Sequence, residues 1–198
     1  MEIQAVPFDV HLPAGVAGPD PMDFDVRCFL VPHSAGITLL DTGLPGSAAA
    51  IGTALANIGA GWTDVSDILL SHDHPDHVGG LAEALALAPS ATVWGNAPLS
   101  ARVLPDGETV RDLRVVTTPG HTAGHVSFLA GDGTLLVGDL VGSHDGHVER
   151  APAPFTSDAV VAEQSIHKIV SLDARRFLFA HGPEVSEPQQ QILALLGR

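Results

Sequence analysis

Largely apolar runs of three to nine residues, broken by polar, Gly-rich and Pro-rich stretches, recur along the chain at the length of buried strands. The runs at 3–11, 24–31, 37–40, 67–71, 92–94, 114–117, 126–129, 134–137 and 176–179 are expected to be strands. The pair 126–129 and 134–137 flanks Gly131-Asp132-Gly133, a hairpin turn signal. Helical periodicity appears instead over 47–58, 81–88, 156–172 and 187–196, with Pro89 stopping the second of these. Residues 12–21 are too rich in Pro and Gly for regular structure, and 142–155 reads as a long irregular segment. Strands alternating with helices place the chain in the α/β class, and its 198 residues suit one domain, 1–198.

One stretch departs from this pattern. Ser71-His72-Asp73-His74-Pro75-Asp76-His77-Val78-Gly79-Gly80 follows a strand, precedes a helix, and concentrates three imidazoles and two carboxylates in six positions. In extended backbone, side chains two apart point the same way, so His72 and His74 can grip one ion while Asp73 faces elsewhere. Asp76 and His77 lie beyond Pro75 and must aim differently. Two neighbouring directions from one loop point to two neighbouring metals. Gly79 and Gly80, having no Cβ, let the following helix start close by.

Charge narrows the partners. The formal net charge of −14, with Lys168 the only lysine, excludes a phosphate-backbone partner, which needs clustered Lys and Arg. No apolar stretch approaches the roughly 20 residues that span a bilayer, so a soluble, cytoplasmic chain without a membrane partner is expected. Cys28 is the only cysteine and reads as a buried strand thiol. Oligomeric state is left open.

The order His72, His74, Asp76, His77 meets the signature H-x-H-x-D-H, and here the chain resembles the metallo-β-lactamase superfamily. The resemblance extends to His121 in Gly120-His121-Thr122-Ala123-Gly124-His125, to Asp139 after Leu136-Val137-Gly138, and to His181 before Gly182-Pro183. It implies an αββα four-layer sandwich, a refinement of the α/β pattern that periodicity alone does not reach. It also implies two divalent ions, zinc first, with iron or manganese as alternatives. His72, His74 and His121 would hold one ion and Asp76, His77 and His181 the other, with Asp139 shared. Asp41, in Asp41-Thr42-Gly43, and His125 would support these ligands from outside. Loops overhang the metals in this family, which makes His11, Met22 and Phe24 from the first loop, and His144, His147 and Phe155 from the second, candidate contacts for a small-molecule substrate.

The implied chemistry is hydrolysis by a hydroxide shared between two ions, each lowering the pKa of bound water toward ~7. Asp76 and Asp139 would be the carboxylates closest to that step. Departures from particular branches narrow the substrate. The β-lactamases of the superfamily place Cys or Ser where Asp139 stands, the quorum-signal lactonases use a tyrosine that this chain lacks, and glyoxalase II adds a helical domain for which the chain ends too soon. A small ester, thioester or lactone with an apolar acyl group is the expected substrate. The alternatives are a mononuclear iron sulfur dioxygenase, which needs only two His and one Asp, and a non-catalytic metal-binding member.

Overall fold

The computed structural model describes residues 2–16, 18–96 and 102–197. A first sheet is built from β1 (Gln4–Leu12), β2 (Met22–His33), β3 (Gly36–Leu40), β4 (Val65–Leu69) and β5 (Thr92–Trp94), in that order. β1, β2 and β3 pair antiparallel, and β3, β4 and β5 pair parallel. Parallel neighbours need crossovers. Here these carry α1 (Ala48–Asn57) between β3 and β4, and a short α2 (Pro75–Val78) and α3 (Leu81–Leu87) between β4 and β5.

A second sheet contains β6 (Thr109–Val110), β7 (Leu113–Thr117), β8 (Val126–Ala130) and β9 (Thr134–Leu136). After the separate hairpin β10 (Val141–His144) and β11 (His147–Arg150) come α4 (Ala159–Val170), β12 (Arg176–Leu178) and α5 (Pro188–Leu195). β12 returns to pair parallel with β9, giving the order β12-β9-β8-β7-β6.

Strand alternation divides the apolar residues into three cores and so defines four layers. Cys28 and Leu30 of β2, Ile68 of β4 and the adjoining Leu70 face outward against Ile51, Leu55 and Leu81 of the helices. Their neighbours Phe29, Val31 and Leu69 face inward and meet Val115, Phe128, Leu136 and Leu178 of the second sheet. On that sheet's outer side, Leu135 and Phe177 pack against Ile166 and Ile169 of α4 and Ile192 of α5. The result is the α/β sandwich of helix, sheet, sheet and helix. Among the described residues no helix is long and apolar enough to cross a membrane.

Two expectations need correction. Residues 142–155 are not irregular throughout, because β10 and β11 pair across Asp145 and Gly146, whose φ values of 47° and 80° are both left-handed. An Asp-Gly pair is a favoured sequence for such a turn, so the signal was present in the chain. Helix α4 starts at Ala159 and not at 156, since Asp158 caps it by accepting from the N–H groups of Val160 and Val161. The glycine pair after the histidines does serve close approach: a Cβ on Gly80 would collide with the Thr42 carbonyl oxygen, and one on Gly79 with that of Pro75.

Candidate metal centre

Asp41, His72, Asp139 and His181 all follow the ends of strands at one edge of the sandwich. The link after β4 is held by Asp41, which accepts from the Ser71 N–H at 2.8 Å, the Ser71 hydroxyl at 2.7 Å and His77 Nδ1 at 2.9 Å. His74 is extended, and Pro75 at the first position of α2 then turns the backbone helical. Asp76 and His77 therefore leave in a new direction.

The side chains converge as two groups, His72, His74, His121 and Asp139 in one and Asp76, His77, Asp139 and His181 in the other. Within each group the donor atoms lie within 4.8 Å of one another. Asp139 belongs to both. Its Oδ2 is 3.0 Å from His181 Nε2, 3.4 Å from His121 Nε2 and 3.6 Å from His72 Nε2, and its Oδ1 is 3.2 Å from His77 Nε2. His74 enters through Nδ1, 2.9 Å from His121 Nε2. Asp76 stands 3.5 Å from both His77 and His181.

Hydrogen bonds at the far side of three rings settle their tautomers. Asp41 and the Asp25 carbonyl only accept, so His77 and His181 carry their protons on Nδ1. The Ser71 hydroxyl donates to Asp41 and so accepts from His72 Nδ1 at 3.0 Å. Each ring consequently points an Nε2 into the cluster. His72 Nε2, His77 Nε2 and Asp139 Oδ1 are buried there without hydrogen-bond partners. Buried polar atoms seldom go unpaired, and lone pairs aimed at a common point fit a cation. The donor set, imidazole and carboxylate, suits zinc, iron or manganese.

Electrostatics follow from this crowding. Burial and the neighbouring His77 hold the His72 pKa well below the ordinary imidazole value. Burial also opposes charge on His77, but Asp139 and Asp41 outweigh it and raise that pKa well above its usual value, so a metal at His77 Nε2 would have to displace a proton there. Burial likewise works against ionised Asp139, and His77, His181 and His72 overcome it to keep the carboxyl well below the usual range. His125 is neutral, its pKa lowered to about 3 chiefly by burial and then by His121. Its ring accepts from the Asp139 N–H at 3.0 Å.

Sequence reading missed Ser71 and Asp25 as supports. Ser71 lies inside the conspicuous stretch, but Asp25 acts through its backbone carbonyl on His181, 156 positions away, and leaves no side-chain signal. Phe24 beside it meets the His181 ring edge-on, with centroids 5.3 Å apart.

A cavity of about 580 Å³ opens over the ligands. Leu12, Val16, Met22 and Phe24, gathered at the turn end of the β1–β2 hairpin, line it together with Pro152 and Phe155, and His74, Asp76, His121, Asp139 and His181 form the floor. His144 is at its rim. His11 and His147 are not among the lining residues: His11 alternates with the lining Val10 and Leu12 and pairs with Asp23 at 2.6 Å, and His147 is exposed on β11. Arg150 also lines the cavity, with its guanidinium taken up by both carboxylate oxygens of Glu163, at 2.9 and 2.8 Å, and by the Leu195 carbonyl.

A sequence model described as the metallo-beta-lactamase superfamily matches residues 22–99 and 104–181. A hydroxyacylglutathione hydrolase of Acidiphilium cryptum is 35% identical over 131 residues, 61% of this chain and 51% of that protein. A thioesterase of Emericella nidulans is 36% identical over 99 residues, 47% of this chain and 29% of the relative. The chain thus spans about half or less of the length of these curated relatives. A crystal structure of a metallo-beta-lactamase family protein from Thermus thermophilus superposes with a TM-score of 0.75 at 21% identity, covering 97% of this chain and 78% of the other.

Proposed function

The chain belongs to the metallo-beta-lactamase superfamily, and from that premise we propose that it is a dinuclear metal-dependent hydrolase of small esters, thioesters or lactones. The observation that carries the reading is the pair of convergent ligand groups sharing Asp139 at the floor of an apolar cavity. Divalent ions bound there would supply an acidified water and a Lewis acid for the substrate carbonyl. His72, His74 and His121 would hold one ion and Asp76, His77 and His181 the other, zinc being the expected metal.

The chain's own residues do the rest. Burial opposes ionisation of Asp76, but its contacts with His77 keep the pKa below the ordinary carboxylate value, so the group stays an acceptor able to orient a water. Leu12, Val16, Met22 and Phe24 offer an apolar wall for an acyl chain, each buried CH₂ contributing about 0.8 kcal/mol. Arg150 is already engaged by Glu163 and Asp25 by Arg27 at 2.7 Å, which leaves Asp23 and Glu149 to add negative charge to the lining. That balance favours uncharged substrates over anionic thioesters such as those of glutathione. A small-molecule substrate, no nucleic-acid partner and a cytoplasmic setting belong to the same proposal.

Elemental analysis of the purified protein, paired with kcat/KM for matched apolar thioester, aryl ester, lactone, β-lactam and glutathione thioester compounds, tests it. Two metal ions per chain and a preference among the first three are expected. One ion under metal excess, or a clear preference for the β-lactam, would overturn the reading.

A further inference from the structure

We propose that His125 is a positioning residue that fixes the shared carboxylate through the Asp139 peptide, acting as a neutral hydrogen-bond acceptor at Nε2 with its only ring proton on Nδ1. This inference rests on the reading of Asp139 as a ligand common to both groups. The Asp139 N–H can only donate and lies 3.0 Å from His125 Nε2, so that nitrogen must be bare. Nδ1 then carries the proton and faces Thr118, 2.9 Å from its hydroxyl oxygen and 3.1 Å from its carbonyl.

From there the chain of bonds returns to the same loop. The Ser127 hydroxyl donates to the Val137 carbonyl at 3.0 Å, which leaves its oxygen to accept from the Thr118 hydroxyl at 2.9 Å. The Thr118 oxygen in turn accepts from His125 Nδ1. The ring is therefore clamped at both nitrogens, and the residues on either side of Gly138 are tied to one buried network. Gly138 makes this possible: its φ is 58°, and a Cβ there would sit 2.6 Å from His125 Nε2. A glycine in a left-handed conformation lets the imidazole reach the next peptide N–H.

The clamp matters because it extends to Asp139 itself the hold that the nearest backbone tie, Val137 N–H to the Leu178 carbonyl at 3.0 Å, supplies two residues earlier. An outer support of this kind typically contributes about 10- to 100-fold in metal affinity. It differs from packing in one respect: it depends on an acceptor atom at the Nε2 position. Gln can place a carbonyl oxygen there, whereas Asn places its amide nearer Nδ1 and leaves the Asp139 N–H unpaired.

The test is a through-bond nitrogen–nitrogen coupling experiment on uniformly ¹⁵N-labelled, zinc-loaded protein, followed by zinc titration of His125→Gln and His125→Asn. A cross-peak between the Asp139 amide nitrogen and His125 Nε2, with the ring proton on Nδ1, is expected. Zinc affinity should fall about 10- to 100-fold in the Asn variant, and Gln should restore most of it. A proton on Nε2, absence of the coupling, or equal weakening in the two variants would overturn the inference. If either variant fails to fold, the wild-type coupling still decides. A single bound zinc with the coupling intact would instead break the dinuclear reading and leave the clamp standing.

Discussion

Two buried aspartates, Asp67 and Asp139, show how similar surroundings can serve opposite ends. Asp67 lies within β4, the strand whose extension carries His72, and is 1% exposed, while Asp139 is 7% exposed. Asp67 accepts from the Ser66 hydroxyl at 2.7 Å, Arg111 Nε at 2.7 Å and Trp94 Nε1 at 2.9 Å. Both oxygens are therefore paired, and the bonds tie the first sheet to the turn between β6 and β7. The neighbours of Asp139 are imidazoles, and several imidazoles in one pocket cannot all be cations. Those that stay neutral direct lone pairs at the carboxylate and at each other. Permanent donors complete a structural carboxylate, whereas a carboxylate among titratable imidazoles can be completed by a proton on a ring or by a metal ion.

The largest effect should separate these two roles. Asp139→Ala should reduce metal content at both positions and cut activity by more than the roughly 100-fold that losing an outer support costs. Its metal-free melting temperature should change far less than that of Asp67→Ala. Stripping metal with a chelator should abolish activity, and zinc readdition should restore it. Equal loss of metal in the two alanine variants, read by elemental analysis, would erase the distinction.

Asp67→Ala should instead cost about 3 kcal/mol, because the Trp94 and Ser66 donors lose their partner. For a chain of this size that is roughly 6–12 °C in melting temperature. Metal content and kcat should be unchanged. The same contrast has a pH signature. Burial opposes ionised Asp67, but bonds from Ser66, Arg111 and Trp94 bring its pKa below the ordinary carboxylate value. A depressed folded-state pKa contributes stability above the unfolded value, near 4, that is lost as pH falls through the folded one. Denaturation curves below pH 4 should therefore fall less steeply for Asp67→Asn than for wild type, and parallel curves would refute the assignment.

A smaller effect is expected at the cavity wall. Leu12→Ala should lower kcat/KM for a long apolar acyl substrate about tenfold and leave an acetyl substrate unaffected, since only the former reaches the wall. Smallest of all, His144→Ala at the rim should alter KM a few-fold or less, and His147→Ala not at all, both with full metal content. Loss of metal from either would extend the ligand set to the β10–β11 hairpin.

What the sequence determined by itself is local. The strand and helix periods identified the α/β alternation, because burial on one or two faces imposes a period of 2 or 3.6 on nearby residues. The two aims of the histidine-rich loop were legible for the same reason: His72 and His74 are two apart, and Pro75 forces a change of direction before Asp76 and His77. His121, Asp139 and His181 carried no such periodic signal and were reached only through resemblance, since Asp139 and His181 are 42 positions apart. Tertiary structure decided which strand ends share an edge, that Asp25 offers a carbonyl to His181, that Leu12 and not His11 faces the cavity, and that the His125 ring accepts from the Asp139 peptide. The physical reason is that these contacts depend on packing between layers and on backbone groups, which every residue possesses and which no residue type announces.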